Sequence, residues 1–297
     1  MSGSKLESKI CEVGDRLLSL LESGIEPWGK DWVLRQGGSF VNAATGRAYR
    51  GQNTVFLMID VILRGYQSRF YLGFAQAQDL GLKMIKGSKS CMVLFPRFVK
   101  VTNEETGEDE RALVGWSWSN VFNLDCFENG AVKDKILAKF DKHQDQKPLT
   151  TPHEFVKELL DYHQPKLIYD DSKNPCYSVF GDYISMPSLG CFKTAEGYAA
   201  TLLHEMAHWT GHKERLNRVL VGFKQDMLAY AYEELVAEMC AAILTTEAGI
   251  PYALEFHASY IQSWISLLKD DPKVFARALK DAGRASMFLY PHNYDQD

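Results

Sequence analysis

His204, Glu205 and His208 stand in the stretch TLLHEMAHWTGH, which fits the pattern His-Glu-x-x-His. On an α-helix, positions i and i+4 lie one above the other, so both imidazoles project from one face at a spacing that grips a single ion. Imidazole nitrogen suits zinc. One divalent metal is therefore the expected cofactor, zinc first and manganese as the alternative. Glu205 sits about 100° around the helix axis, where its carboxylate can act as general base on a water whose pKa the ion lowers toward about 7. Leu202, Leu203, Met206 and Ala207 surround these groups with apolar or small side chains, which predicts a buried helix. Unpaired histidines and a carboxylate are costly there, and a metal offsets that cost. The bland alternative is a surface helix with satisfied histidines.

A catalytic zinc takes a third protein ligand and leaves one position open. In YAYEELVAEMCAAIL, Glu234 and Glu238 share a helical face at i and i+4. Glu234 is the expected ligand and Glu238 the support of a ligating histidine. Glu233 is the fallback. Glu214 is the other alternative, because HEMAHWTGHKE places it where metzincins carry a third histidine. His212, just past the helix-ending Gly211, is a candidate oxyanion stabiliser or an ordinary surface residue. The strand YISMP precedes the site helix, and Tyr183–Met186 could be an edge strand that receives an extended peptide by β-pairing, although core packing explains these residues equally well.

A second chemistry is suggested by charge. The chain of 297 residues carries a net −5, yet residues 1–100 hold 14 Lys and Arg against 8 Asp and Glu, and the remainder hold 19 against 30. A basic first part suits a polyanion. Single-stranded nucleic acid is held by a basic groove with aromatic platforms for the bases. Trp28, Tyr49, Arg50, Arg69, Lys86 and Lys89 are the candidate DNA contacts. Arg50 and the Lys86/Lys89 turn stand beside Gly51 and Gly87, which permit close backbone approach to phosphate.

These groups need elements to position them. Leu6, Ile10, Val13, Leu17 and Leu21 recur at helical spacing over 4–23. A second apolar helix is predicted over NTVFLMIDVILRG and a short one over FAQAQDLG. SCMVLFPRFVKV and ALVGWSWSNVFNL read as strands joined through an acidic turn. Residues 129–149 are polar and lysine-rich and read as a linker. Beyond them, TPHE forms a capping box from Thr151 to Glu154. KLIYD and CYSVFGDYISMP read as strands, followed by helices near 195–210, 227–247, 254–270 and 272–285. The expected fold is α+β in two domains, 1–128 and 150–297. Six cysteines without a CxxC pair point to reduced thiols. No apolar run is long enough to span a membrane and no secretory leader is visible, so the expected location is the cytoplasm and no membrane partner is expected.

The segments EGYAATLLHEMAHWTGHKERLNR, YEELVAEMCAAIL and ASYIQSWISLLKDDPKVFARAL resemble the zincin-type C-terminal domain of the ArdC family of plasmid antirestriction proteins. PWGKDW, TGRAYRGQN, FAQAQDLGLKMIKGSKSCMVLF and VFNLDCFENG look like that family's N-terminal single-stranded-DNA-binding domain, in the same order, so the resemblance covers nearly the whole chain. It implies a protein of conjugative plasmids that binds single-stranded DNA and shields incoming DNA from host restriction. It also implies a metallopeptidase-like domain in which His204, Glu205 and His208 match the family's HExxH and Glu234 falls in EELVAE, with a host protein as a further candidate substrate. The segment GLKMIKGSKS departs from the family pattern, which shows a Gly-Gly and a basic residue before the KG turn.

Overall fold

The computed structural model describes residues 2–24, 38–102, 109–141, 151–220, 225–250 and 258–291. In chain order the elements are α1 (Ser2–Glu22), β1 (Val41–Asn42), α2 (Gln52–Arg64), β2 (Phe70–Gly73), α3 (Phe74–Asp79), β3 (Cys91–Thr102), β4 (Asp109–Asn123), α4 (Ala131–Asp141), α5 (Pro152–His163), β5 (Lys166–Tyr169), β6 (Cys176–Ser178), β7 (Tyr183–Met186), α6 (Ala195–Thr210), α7 (Met227–Glu247), α8 (Ala258–Asp270) and α9 (Val274–Leu289). The fold is mixed helix and sheet, as periodicity predicts. Among the described residues one sheet runs β1-β2-β4-β3 and a second runs β5-β7-β6.

The helices that carry the candidate site are capped as their sequences dictate. Thr194 accepts a hydrogen bond from the Gly197 N–H at 3.0 Å to start α6, and Asp226 accepts from the Leu228 and Ala229 N–H groups, each at 3.0 Å, to start α7. Each cap satisfies amide donors that the first helical turn leaves without partners. Thr151 and Glu154 form the expected reciprocal box at the start of α5. Ala199, Ala200 and Ala207 of α6 and Ala231, Ala237, Ala241 and Ala242 of α7 are buried. Small side chains let the two backbones approach and bring groups on both helices to one point.

One hydrophobic core serves both halves of the chain. Val13, Leu17, Leu20 and Leu21 of α1 and Val55, Phe56 and Ile59 of α2 belong to the same buried cluster as Leu235 and Ile243 of α7, Trp264 of α8 and Phe275 of α9. Burying each such side chain contributes about 1.5–3 kcal/mol. The N-terminal helices are thus docked on the helices that hold the candidate site.

Two expectations are corrected. The stretch 129–149 contains α4, whose Ile136 and Phe140 are buried in a second cluster with Phe70, Leu72 and Phe127. The Phe70 and Phe140 ring centroids are 4.6 Å apart. Two apolar residues one turn apart were enough to fold this polar segment onto the N-terminal module. Tyr183–Met186 is the central strand of its sheet, paired in parallel with β5 and antiparallel with β6. Among the described residues β5 and β6 are the edges of this sheet, and Ile184 and Met186 of β7 are core residues.

Candidate metal centre

The Nε2 atoms of His204 and His208 face each other at 3.1 Å. Glu234 reaches the same point from α7: its Oε2 is 3.5 Å from His204 Nε2 and its Oε1 is 3.6 Å from His208 Nε2. Within the described residues, one ligand atom from each of the three lies within 4.8 Å of the others, an arrangement that can hold a metal ion. The opposite ring nitrogens point at other carboxylates. His208 Nδ1 is 3.2 Å from Glu233 Oε1, and His204 Nδ1 is 3.4 Å from Glu238 Oε1. The second of these lacks regular hydrogen-bond geometry, so His204 Nδ1 is a buried nitrogen that makes no hydrogen bond and faces the Glu238 carboxylate.

This pattern tests the fit of a cation. A carboxylate is acceptor-only, so each neutral ring carries its hydrogen on Nδ1, toward Glu233 or Glu238. Both Nε2 atoms then present lone pairs to each other and to the oxygens of Glu234. Such a set of electron donors, largely withdrawn from water, is stabilised by a positive charge at its centre. Two imidazoles and one carboxylate are also the donor set of a zinc site with an open position. The residues fit a divalent metal.

The electrostatics agree. Burial lowers the pKa of His204, but Glu238 and Glu234 outweigh it and hold the imidazole well above its ordinary value. His208 is likewise raised, against burial, by Glu233 and Glu234. Burial raises Glu234, yet the two histidines pull it down to about 2. Glu205 differs from its neighbours. Burial raises its pKa, and the opposing pull of His204, His208 and the Tyr177 N–H, which donates to it from β6, is insufficient to cancel the shift. A carboxyl group raised in this way holds a proton more readily than an ordinary one, which favours a general-base role.

Arg218 was invisible to sequence reasoning and is central to the arrangement. Its Nε donates to Glu233 Oε2 at 2.9 Å and its Nη2 to Glu233 Oε1 at 2.7 Å. It also donates to Thr210 Oγ1 at 2.8 Å and to the Ala207 carbonyl at 2.7 Å, near the end of α6. A buried arginine thus fixes the carboxylate that orients His208, which leaves Glu233 turned away from the Nε2 atoms. Its only sequence signal was a basic residue soon after an HExxH helix.

The other sequence candidates are dispersed. Glu214 is exposed, and its N–H donates to His212 Nδ1 at 3.3 Å. Tyr49 packs half-buried against the shared core, its hydroxyl accepting from Asn42 Nδ2, and burial pushes its pKa up to about 12. Arg69 donates to the Ser39 carbonyl and lies over the Phe70 ring. Arg50 is half-buried with Nη1 fully enclosed, and it opposes only in part the burial that raises the pKa of Tyr290. Lys86 and Lys89 are exposed on a turn where Gly87 takes φ +91°. Trp28 lies outside the described residues.

Comparison with known proteins agrees with this anatomy. Residues 9–122 match the N-terminal domain of anti-restriction factor ArdC, and residues 155–281 match a zincin-like metallopeptidase family. DNA primase TraC of Escherichia coli is 31% identical over 292 residues, 94% of this chain, although the chain spans only 26% of that protein's length. The metal-free crystal structure of the antirestriction ArdC protein from plasmid R388 superposes with a TM-score of 0.69 at 30% identity, covering 97% of this chain and 99% of that one. The Mn(II)-bound structure of the same protein gives 0.67 at 28% identity, again covering 97% and 99%. A shared architecture from end to end, together with an HExxH helix set against a glutamate-bearing helix, means that this chain belongs to the ArdC family of antirestriction proteins.

Proposed function

We propose that this protein binds single-stranded DNA and hydrolyses peptide bonds with a divalent metal, protecting DNA that enters a cell on a conjugative plasmid from host restriction in the cytoplasm. The observation that carries the reading is the convergence of His204 Nε2, His208 Nε2 and the Glu234 carboxylate, with Glu205 buried beside them. A divalent ion held by these three residues, zinc by its donor set or manganese as in the R388 relative, supplies an electrophile that polarises a peptide carbonyl and acidifies water. Glu205 takes up the proton on its carboxylate and returns it to the leaving amine. Glu238 and Glu233 hold the histidine rings through their Nδ1 sides. The substrate of this reading is a host protein, and single-stranded DNA is the ligand that locates the enzyme.

Metal analysis of the purified protein beside its Glu234→Ala variant tests the reading. About one equivalent of divalent metal is expected in the parent and a large loss in the variant. A parent that retains no metal after exposure to zinc and manganese would overturn it. Because both histidines must shed protons to bind a cation and both are held above their ordinary pKa, affinity is expected to weaken as pH falls. Glu238→Gln keeps the shape of the side chain but removes the charge facing His204 Nδ1. A competition titration with a chelating dye should show metal affinity about 10–100-fold weaker.

A further inference from the structure

The outer half of the β3–β4 ribbon projects from the fold with both faces in solvent. Cys91 to Leu94 are buried, whereas Phe95 to Val101 are all exposed. Phe95, Phe98, Val99, Val101, Val114 and Trp116 are each between 42% and 53% exposed, with Phe98 and Trp116 on one face and Phe95, Val99 and Val101 on the other, and exposed apolar side chains gathered on one ribbon mark a binding site. The register orders it. Leu94 pairs with Trp118 and Pro96 with Trp116, and a bulge after Arg97, at Gly115 with φ +151°, shifts the pairing so that Phe98 meets Leu113. Trp118, Trp116 and Phe98 therefore follow one another along one face, with Lys100 next.

Successive positions on one face of a strand are about 6.6 Å apart. That is twice the ~3.4 Å rise per base of a duplex strand, so a polynucleotide must be unstacked, and hence single, to lay one base on each ring. Charge points to the same occupant. The segments 83–100 and 111–123 contain Lys83, Lys86, Lys89, Arg97, Lys100 and Arg111 and no carboxylate. The acidic residues Glu104, Glu105, Glu108, Asp109 and Glu110 fall between these two segments in the sequence, so the strand segments that carry the rings are basic throughout.

We propose that this ribbon is the principal single-stranded-DNA contact: Trp116 and Phe98 stack bases, half-buried Trp118 bounds the platform at the core, and Lys100, next on the same face, offsets phosphate charge. The assignment rests on the DNA-binding reading above and moves the contact away from Tyr49 and Arg69, whose side chains are engaged in packing.

The test is anisotropy of a labelled 20-nucleotide thymidine strand titrated with the full-length protein across a salt series. Trp116→Ala is expected to weaken binding at least about 5-fold, Phe98→Ala likewise, with the salt slope unchanged. Trp116→Phe should keep most of the affinity. Lys100→Ala should reduce the slope of log affinity against log salt by about 0.7. Unchanged melting temperatures show that each variant is folded. If the parent does not bind the strand, the DNA-binding reading itself falls, and this assignment with it. If the parent binds and the aromatic variants bind equally well, the ribbon is not the contact, and a role in protein docking takes its place.

Discussion

Glu205→Gln is expected to slow peptide hydrolysis by about 10²- to 10⁴-fold, the range lost when a positioned general base is removed. The change is nearly isosteric, and a glutamine oxygen can still accept from the Tyr177 N–H, so the packing at the start of α6's metal-facing turn should survive. Bound metal and affinity for single-stranded DNA should equal those of the parent. The measurement has two arms: mass-spectrometric detection of cleavage in a peptide library, and survival of a restriction-sensitive plasmid after transfer into a restricting host. Loss of both with metal retained supports hydrolysis as the source of protection. If the variant protects DNA as well as the parent does, then binding, not cleavage, protects, and the metal is structural.

The second large effect is one of stability. Arg218 and Glu233 are an ion pair with side-chain exposures of only 6% and 5%. Removing the arginine leaves a carboxylate in a low-dielectric site with only His208 to face it. Breaking a buried pair in this way costs about 3–5 kcal/mol, so Arg218→Ala should lower the melting temperature by about 10 °C. Arg218→Lys should recover only part of this, since an ammonium cannot reproduce the two-pronged bond to Glu233 or reach Thr210 and Ala207 together. The double change Arg218→Met with Glu233→Gln should restore much of the stability while leaving metal affinity about 10–100-fold weaker, because His208 Nδ1 no longer faces a charged acceptor. Melts in chelator, beside titrations with metal, separate the two contributions. A melting temperature for Arg218→Ala within a degree of the parent would mean that water reaches Glu233 and that the pair is not sealed.

Much of the local architecture was legible in the sequence because it depends on neighbours. Helical spacing alone puts His204 above His208 and Glu234 above Glu238, and the caps at Thr151, Thr194 and Asp226 satisfy amides three or fewer residues away. The strands of the β3–β4 ribbon follow from their β-branched and aromatic content in the same way. What the sequence could not supply were the consequences of contacts between distant segments. α4 looked like a linker because two apolar residues carry little periodic signal, yet Phe140 finds Phe70 far back in the chain.

Tertiary structure alone decided which glutamate faces the imidazole Nε2 atoms and which are turned to the Nδ1 sides. That choice is made by the packing of α6 on α7, whose small side chains fix the rotation of each helix, and by Arg218, which draws Glu233 away. It also decided that Tyr183–Met186 is interior and that β5 and β6 are the edges of its sheet among the described residues, since strand order in a sheet is set by pairing partners and not by any property of a single strand. Tyr49 and Arg69 have the composition of nucleic-acid contacts but are engaged in packing, while Phe98 and Trp116 look like core residues and are exposed. Residue type records what a side chain can do. Burial, which sums contacts over the whole fold, determines how much of it meets solvent.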